Sequence, residues 1–86
     1  MKTYAKINLI KDPKGSVKAF ASLTIDDSFA VNGIKIIEGK NGMFISMPQE
    51  KRGEDYHDLC FPVTKEAREQ IINCCLDAYN KKITES

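Results

Sequence analysis

The stretch Tyr56-His57-Asp58-Leu59-Cys60-Phe61-Pro62-Val63-Thr64-Lys65-Glu66-Ala67-Arg68 contains the point at which the chain changes period. Before Pro62, apolar and polar residues alternate in short runs, as in strands whose side chains point to opposite faces in turn. After it, apolar residues recur at helical spacing through Ile71, Ile72, Cys75, Leu76 and Tyr79. Pro62 stops the strand, and Thr64 can cap the helix by accepting an orphan backbone N–H on its hydroxyl. Glu66 and Glu69 suit the positive end of the helix, and Lys81 and Lys82 suit the other. A helix is expected from about Lys65 to Lys82.

Working back toward the start, turn residues divide the chain into short strand-like runs. Lys2 to Ile10 alternates, with Ala5, Ile7 and Leu9 on one side. Asp12-Pro13-Lys14-Gly15 makes a turn. Val17 to Ile25 places Ala19, Ala21, Leu23 and Ile25 on one face, and Asp26-Asp27-Ser28 turns the chain again. Phe29 to Ile37 follows, with Gly33 at a bulge or bend. Asn41-Gly42 signals a hairpin of type I′, which needs positive φ at both central positions. Met43 to Met47 is the fourth run. Gln49 to Asp55 reads as a polar loop, and Tyr56 to Phe61 is the fifth run. The expectation is an α+β fold: an antiparallel meander of about five strands with one C-terminal helix, forming a single domain over residues 1–86.

Bulk properties bound the function. At 86 residues the chain has room for one domain and a thin stability margin. No apolar run approaches the roughly 20 residues of a membrane span, and the start does not read as a signal peptide. A cytoplasmic protein is expected. Thirteen Lys and Arg against 12 Asp and Glu leave a net charge of +1, so overall charge gives no argument for nucleic acid. Lysines do crowd the first segment: Lys2, Lys6, Lys11, Lys14 and Lys18, with Asp12 the only acid among them. Cys60, Cys74 and Cys75 are an odd number with no CxxC spacing, which argues against a disulfide framework or a metal site and for small apolar filler.

On the helix, Glu66, Gln70, Asn73, Asp77 and Asn80 form one narrow polar stripe. The apolar residues cover roughly 200°, wider than the ~100° stripe one packed face requires. A second copy of the chain, in a C2 homodimer, is the simplest cover for the excess. Ile71, Ile72, Cys75, Leu76 and Tyr79 are the expected core and dimer face. The polar stripe lacks the cations of a groove-inserted recognition helix.

Few constellations carry chemistry. Lys51-Arg52-Gly53 places two cations beside a flexible glycine, suited to phosphates, but Glu50, Glu54 and Asp55 flank them. Arg68 falls within the apolar arc, where it calls for a carboxylate, with Asp58 the nearest candidate, or for an interface rim. His57, the only histidine, points away from Asp58 across the strand, so no catalytic or metal geometry assembles. No GxGxxG or P-loop pattern exists, and no strand has the aromatic spacing of an RRM stacking platform. No cofactor or small-molecule substrate is implied.

From Ala19 to Tyr79 the chain resembles the SpoVG (stage V sporulation protein G) family. The resemblance is carried by Ala21-Ser22-Leu23-Thr24-Ile25-Asp26 with Phe29, and by Ile34-Lys35-Ile36-Ile37-Glu38-Gly39. It continues through Asn41-Gly42-Met43-Phe44-Ile45 with Met47-Pro48, Tyr56, Asp58 and Pro62, and Arg68, Ile71 and Tyr79. It implies a small bacterial dimer tied to septation and sporulation, which binds DNA, and in some members RNA, to regulate gene expression. Lys51 and Arg52 match the family's cationic loop after Met47-Pro48, and Arg68 matches its helix arginine. With Lys65 they are the candidate nucleic-acid contacts. Phe61 stands where relatives usually have histidine, and Thr64 where they often have asparagine. The near-neutral charge also suits a protein-interaction module of the septation or regulatory machinery that does not touch nucleic acid. Mobility shift with DNA and RNA separates the two.

Overall fold

A computed structural model describes residues 1–10 and 15–85. Four strands form an antiparallel meander in the order β1-β2-β3-β4: β1 (Thr3–Leu9), β2 (Val17–Ile25), β3 (Phe29–Gly39) and β4 (Gly42–Ser46). A separate two-stranded hairpin follows, β5 (Gln49–Arg52) with β6 (Asp55–Asp58), and then the single helix α1 (Lys65–Glu85). The fold is α+β with a C-terminal helix, as the change of period predicts. The expected turn at Asp12-Pro13-Lys14-Gly15 falls largely outside the described residues.

The core lies between one face of the sheet and the helix. Ile7 from β1, Ala19, Ala21 and Leu23 from β2, and Ile34 and Ile36 from β3 are buried against Ile71 and Cys75 of α1. Alternation along the strands decides this, because each of these residues is separated from the next inward one by a side chain on the other face. The pairing of β2 with β3 shifts register opposite Asn32 and Gly33, where the sequence predicts a bulge. Thr64 caps α1: its Oγ1 accepts the Ala67 N–H at 3.1 Å, and its carbonyl accepts the Arg68 N–H.

Three expectations are corrected. The fifth run does not join the meander. Gln49–Arg52, read as loop, is a strand, and it pairs with Asp55–Asp58, the shortened fifth run. The missed signal is Gly53. It has φ +64 at the first of the two turn positions between Arg52 and Asp55, the position where a type II′ hairpin wants glycine. The type I′ geometry expected at Asn41-Gly42 sits instead at Asp26-Asp27, with φ +51 and +52 and the Ser28 N–H donated to the Ile25 carbonyl. At the other hairpin, Gly39 pairs with Gly42 around Lys40-Asn41, and only Gly42 has positive φ. Finally, the helix runs to Glu85 rather than Lys82.

Candidate nucleic-acid interface

The hairpin β5–β6 is an arm. All eight of its strand residues are exposed, and the two strands contact one another but neither the sheet nor the helix. Its base is closed by the Leu59 N–H donated to the Pro48 carbonyl at 2.7 Å. Pairing sorts its side chains onto two faces. Glu50 opposes His57 and Arg52 opposes Asp55 on one; Gln49 opposes Asp58 and Lys51 opposes Tyr56 on the other.

Lys51 and Arg52 therefore point to opposite faces. Arg52 donates from Nε and Nη2 to Glu50 Oε2, both at 3.2 Å, and lies across from Asp55. An exposed pair of this kind contributes little to stability, at most about 1 kcal/mol, but it halves the positive charge the arm offers. Lys51 stands across from the Tyr56 ring on the face of Gln49 and Asp58.

Gln49 and Asp58 lead to Arg68. These three residues line an open groove of about 310 Å³ between the base of the arm, β4 and the start of α1, together with Phe44, Ser46 and Ile72. The expected Arg68–Asp58 pair is not formed. Asp58 Oδ1 accepts the Gln49 side-chain amide at 2.8 Å, and among the described residues no carboxylate lies within 4.0 Å of Arg68. The physical reason is exposure: the Arg68 side chain meets water and needs no buried counter-ion. Lys65 is exposed one turn earlier, about 4.0 Å from Glu69, and does not line the groove. Of the four candidate cations only Arg68 lines the groove; Lys51 shares the arm face of Gln49 and Asp58, which do line it, and Arg52 and Lys65 do neither.

The helix face divides likewise. Ile71 and Cys75 are spent in the protomer's own core, whereas Ile72, Leu76 and Tyr79 are half-buried. Burial, with a smaller contribution from Cys74, pushes the Cys75 thiol up to about 11, so it stays protonated and inert at neutral pH. Among the described residues no three His, Cys, Asp or Glu side chains gather to hold a metal ion, and no helix is long and apolar enough to cross a membrane.

A second surface escaped the sequence reading. Phe29, Leu59, Phe61 and Val63 are exposed large apolar side chains, Val63 by 84%. All but Leu59 line an open apolar cavity of about 250 Å³ whose floor includes Leu23 and Ile71 of the core. Phe29 and Phe61 are far apart in sequence and sit in runs read as ordinary strands, so periodicity could not reveal that they meet.

The chain from 1 to 81 matches the SpoVG family model. This chain belongs to the SpoVG family. Several curated relatives carry the name "Putative septation protein SpoVG". That of Agathobacter rectalis is 42% identical over 73 residues, covering 84% of each chain. That of Archaeoglobus fulgidus is 41% identical over 69 residues, 79% of this chain and 81% of the relative. That of Heliobacterium modesticaldum is 37% identical over 82 residues, 94% of this chain and 88% of the relative. The similarity therefore spans the sheet, the arm and the helix rather than one motif.

Proposed function

We propose that this SpoVG-family chain is a homodimeric, non-catalytic regulator that acts in the cytoplasm by binding DNA, and in a secondary role RNA. The observation that carries the reading is the arm. An isolated two-stranded hairpin is marginally stable in water, so one held clear of the body with every side chain in solvent is suited to a partner. On the face that carries Gln49 and Asp58 it offers Lys51 across from Tyr56, and those first two residues share a groove with the unpaired guanidinium of Arg68. Lysine and arginine side chains engage phosphates, and the grooves of two copies would double the contacts. Arg52 joins if a phosphate displaces Glu50, and Lys65 flanks the site from the helix start.

The second copy would sit on the apolar surface of Phe29, Phe61 and Val63. Exposed apolar side chains over a cavity that reaches the core are costly to leave wet and characteristic of an interaction site. Val63→Asp is expected to turn a dimer into a monomer by analytical ultracentrifugation.

The test of the main reading is a mobility shift with duplex DNA across a salt series. Lys51→Ala with Arg68→Ala should weaken binding and flatten the slope of log K against log salt by about one unit for each cation lost per protomer. An unchanged slope removes these residues from the site. One feature favours the alternative, a protein-interaction module of the septation machinery: the arm carries two cations against Glu50, Glu54, Asp55 and Asp58. Absence of any shift at micromolar protein would select that module.

A further inference from the structure

The face of the four-stranded sheet turned away from α1 meets the groove only at its β4 edge, through Phe44 and Ser46. Four of its residues form a row directly across all four strands: Asn8 pairs with Phe20, Phe20 with Lys35, and Lys35 with Ser46. Each lies on the side opposite the buried Ile7, Ala19, Ala21, Ile34 and Ile36. Phe20 is 41% exposed at the middle of this face. Phe44, 48% exposed, stands one outward position along the strands from the row, paired with Ile37. Lys6, paired with Ser22, flanks the row on β1.

Charge on this face has one sign. Among the described residues neither Lys6 nor Lys35 has a carboxylate within 4.0 Å. The positions paired outward with them across the strands carry serine, threonine, asparagine and aromatic side chains but no acid. Lys2 and Tyr4 at the far edge are occupied with each other, the ammonium lying 5.3 Å from the ring centroid and paired with Asp27. An open antiparallel face in contact with water is usually polar throughout, so an exposed ring at its centre between a lysine and an asparagine needs a reason.

We infer that this face binds single-stranded nucleic acid, with a base stacked on Phe20, Lys35 and Lys6 on the backbone phosphates, and the Asn8 amide against a base edge. Adjacent strands lie about 4.8 Å apart, so both flanking side chains fall within reach of a nucleotide on the ring. A phenyl face takes any base, an amide can donate and accept, and lysines hold phosphates as point charges. The rings belong to different strands, Phe20 to β2 and Phe44 to β4, which is why no single strand displays their spacing. A duplex cannot use this face, because its bases are already stacked; the arm and groove are suited to duplex phosphates instead. The inference stands apart from the duplex reading and can fail without it.

The experiment is fluorescence anisotropy on the full chain with three labelled 12-nucleotide probes: oligo(dT), an abasic strand of the same length, and a duplex. Wild type should bind oligo(dT) at least fivefold more tightly than the abasic strand. Phe20→Ala should weaken oligo(dT) binding by about 5- to 150-fold, the range for losing one aromatic stack, and leave the duplex unchanged. Lys51→Ala should do the reverse. Equal affinity of wild type for abasic and base-bearing strands overturns the inference, and needs no variant. So does an unchanged affinity in Phe20→Ala, or conversion of that variant to a monomer with oligo(dT) binding intact, which would give the face to a second copy. If Phe20→Ala fails to fold by circular dichroism, Lys35→Ala substitutes for it: loss of oligo(dT) binding with duplex binding retained supports the inference, and no loss overturns it.

Discussion

The pair β2–β3 and the pair β5–β6 are both antiparallel and both follow the rules of strand pairing, yet they are held by different forces. Every second residue of β2 points into a core shared with β3 and α1, and Ala19, Ala21 and Leu23 are almost fully buried. In β5 and β6 alternation sorts charges and amides rather than oil and water, and all eight residues remain wet. Backbone hydrogen bonds alone contribute little net stability once exchanged against water. Regular geometry in the arm therefore records turn chemistry at Gly53 and cross-strand pairs such as Gln49–Asp58, while in the sheet it records burial.

The contrast breaks first if a core substitution proves mild. Ile36, fully buried in β3, should lose about 2–5 kcal/mol on replacement by alanine, because the cavity cannot be refilled by neighbours from only one helix. Tyr56→Ala on the arm should stay within about 0.5 kcal/mol. Thermal unfolding followed by circular dichroism measures both. A small loss at Ile36 would mean that the sheet–helix core is looser than its burial implies.

The same difference explains what could be read from the sequence. The sheet and the helix were legible because burial imposes a period: two at Ala19, Ala21 and Leu23, then 3.6 from Ile71 to Cys75. The first strand of the arm reads as a loop because Gln49-Glu50-Lys51-Arg52 has no apolar member to alternate, and its one signal, Gly53 in a two-residue turn, is short. Candidate site residues fared accordingly. Adjacency suggested that Lys51 and Arg52 act together; once the segment is a strand, adjacency puts them on opposite faces. A helix arc taken as uniformly covered calls for a carboxylate or an interface rim at Arg68, whereas that side chain is exposed. The apolar surface around Phe61 and Val63 depended on loops whose course no period encodes.

A second prediction sharpens the account of the core through Cys75. The folded state holds this thiol proton more tightly than the unfolded chain, raising the pKa from 9.0 to about 11 through burial. Its contribution is fully present below pH 9.0 and is lost as pH rises toward 11, by about 1–3 kcal/mol in all. Unfolding measured at intervals from pH 8 to 11 should show this decline in wild type and a shallower one in Cys75→Ala, whatever that variant's starting stability. Equal slopes would place the thiol in contact with water and remove it from the sheet–helix seam.

The smallest effect on global stability is expected where strain is placed on the arm itself. Alanine at Gly53 must adopt φ near +64, which costs an L-residue about 1–2 kcal/mol. In the sheet such a cost would lower the melting temperature, because strands there unfold with the core. In an arm with no contacts to the body it should raise the population of open hairpin by about tenfold, 1.4 kcal/mol being a factor of ten, and leave the melting temperature unchanged. Amide hydrogen exchange distinguishes the two, with faster exchange confined to Gln49–Asp58 while β2 and β3 keep their protection. A fall in melting temperature for Gly53→Ala would show that the arm is packed against something in solution. If that fall grows with protein concentration the something is a second copy, since mass action couples stability to concentration only through association; the arm would then belong to the dimer interface, and its cations would have to be counted in pairs.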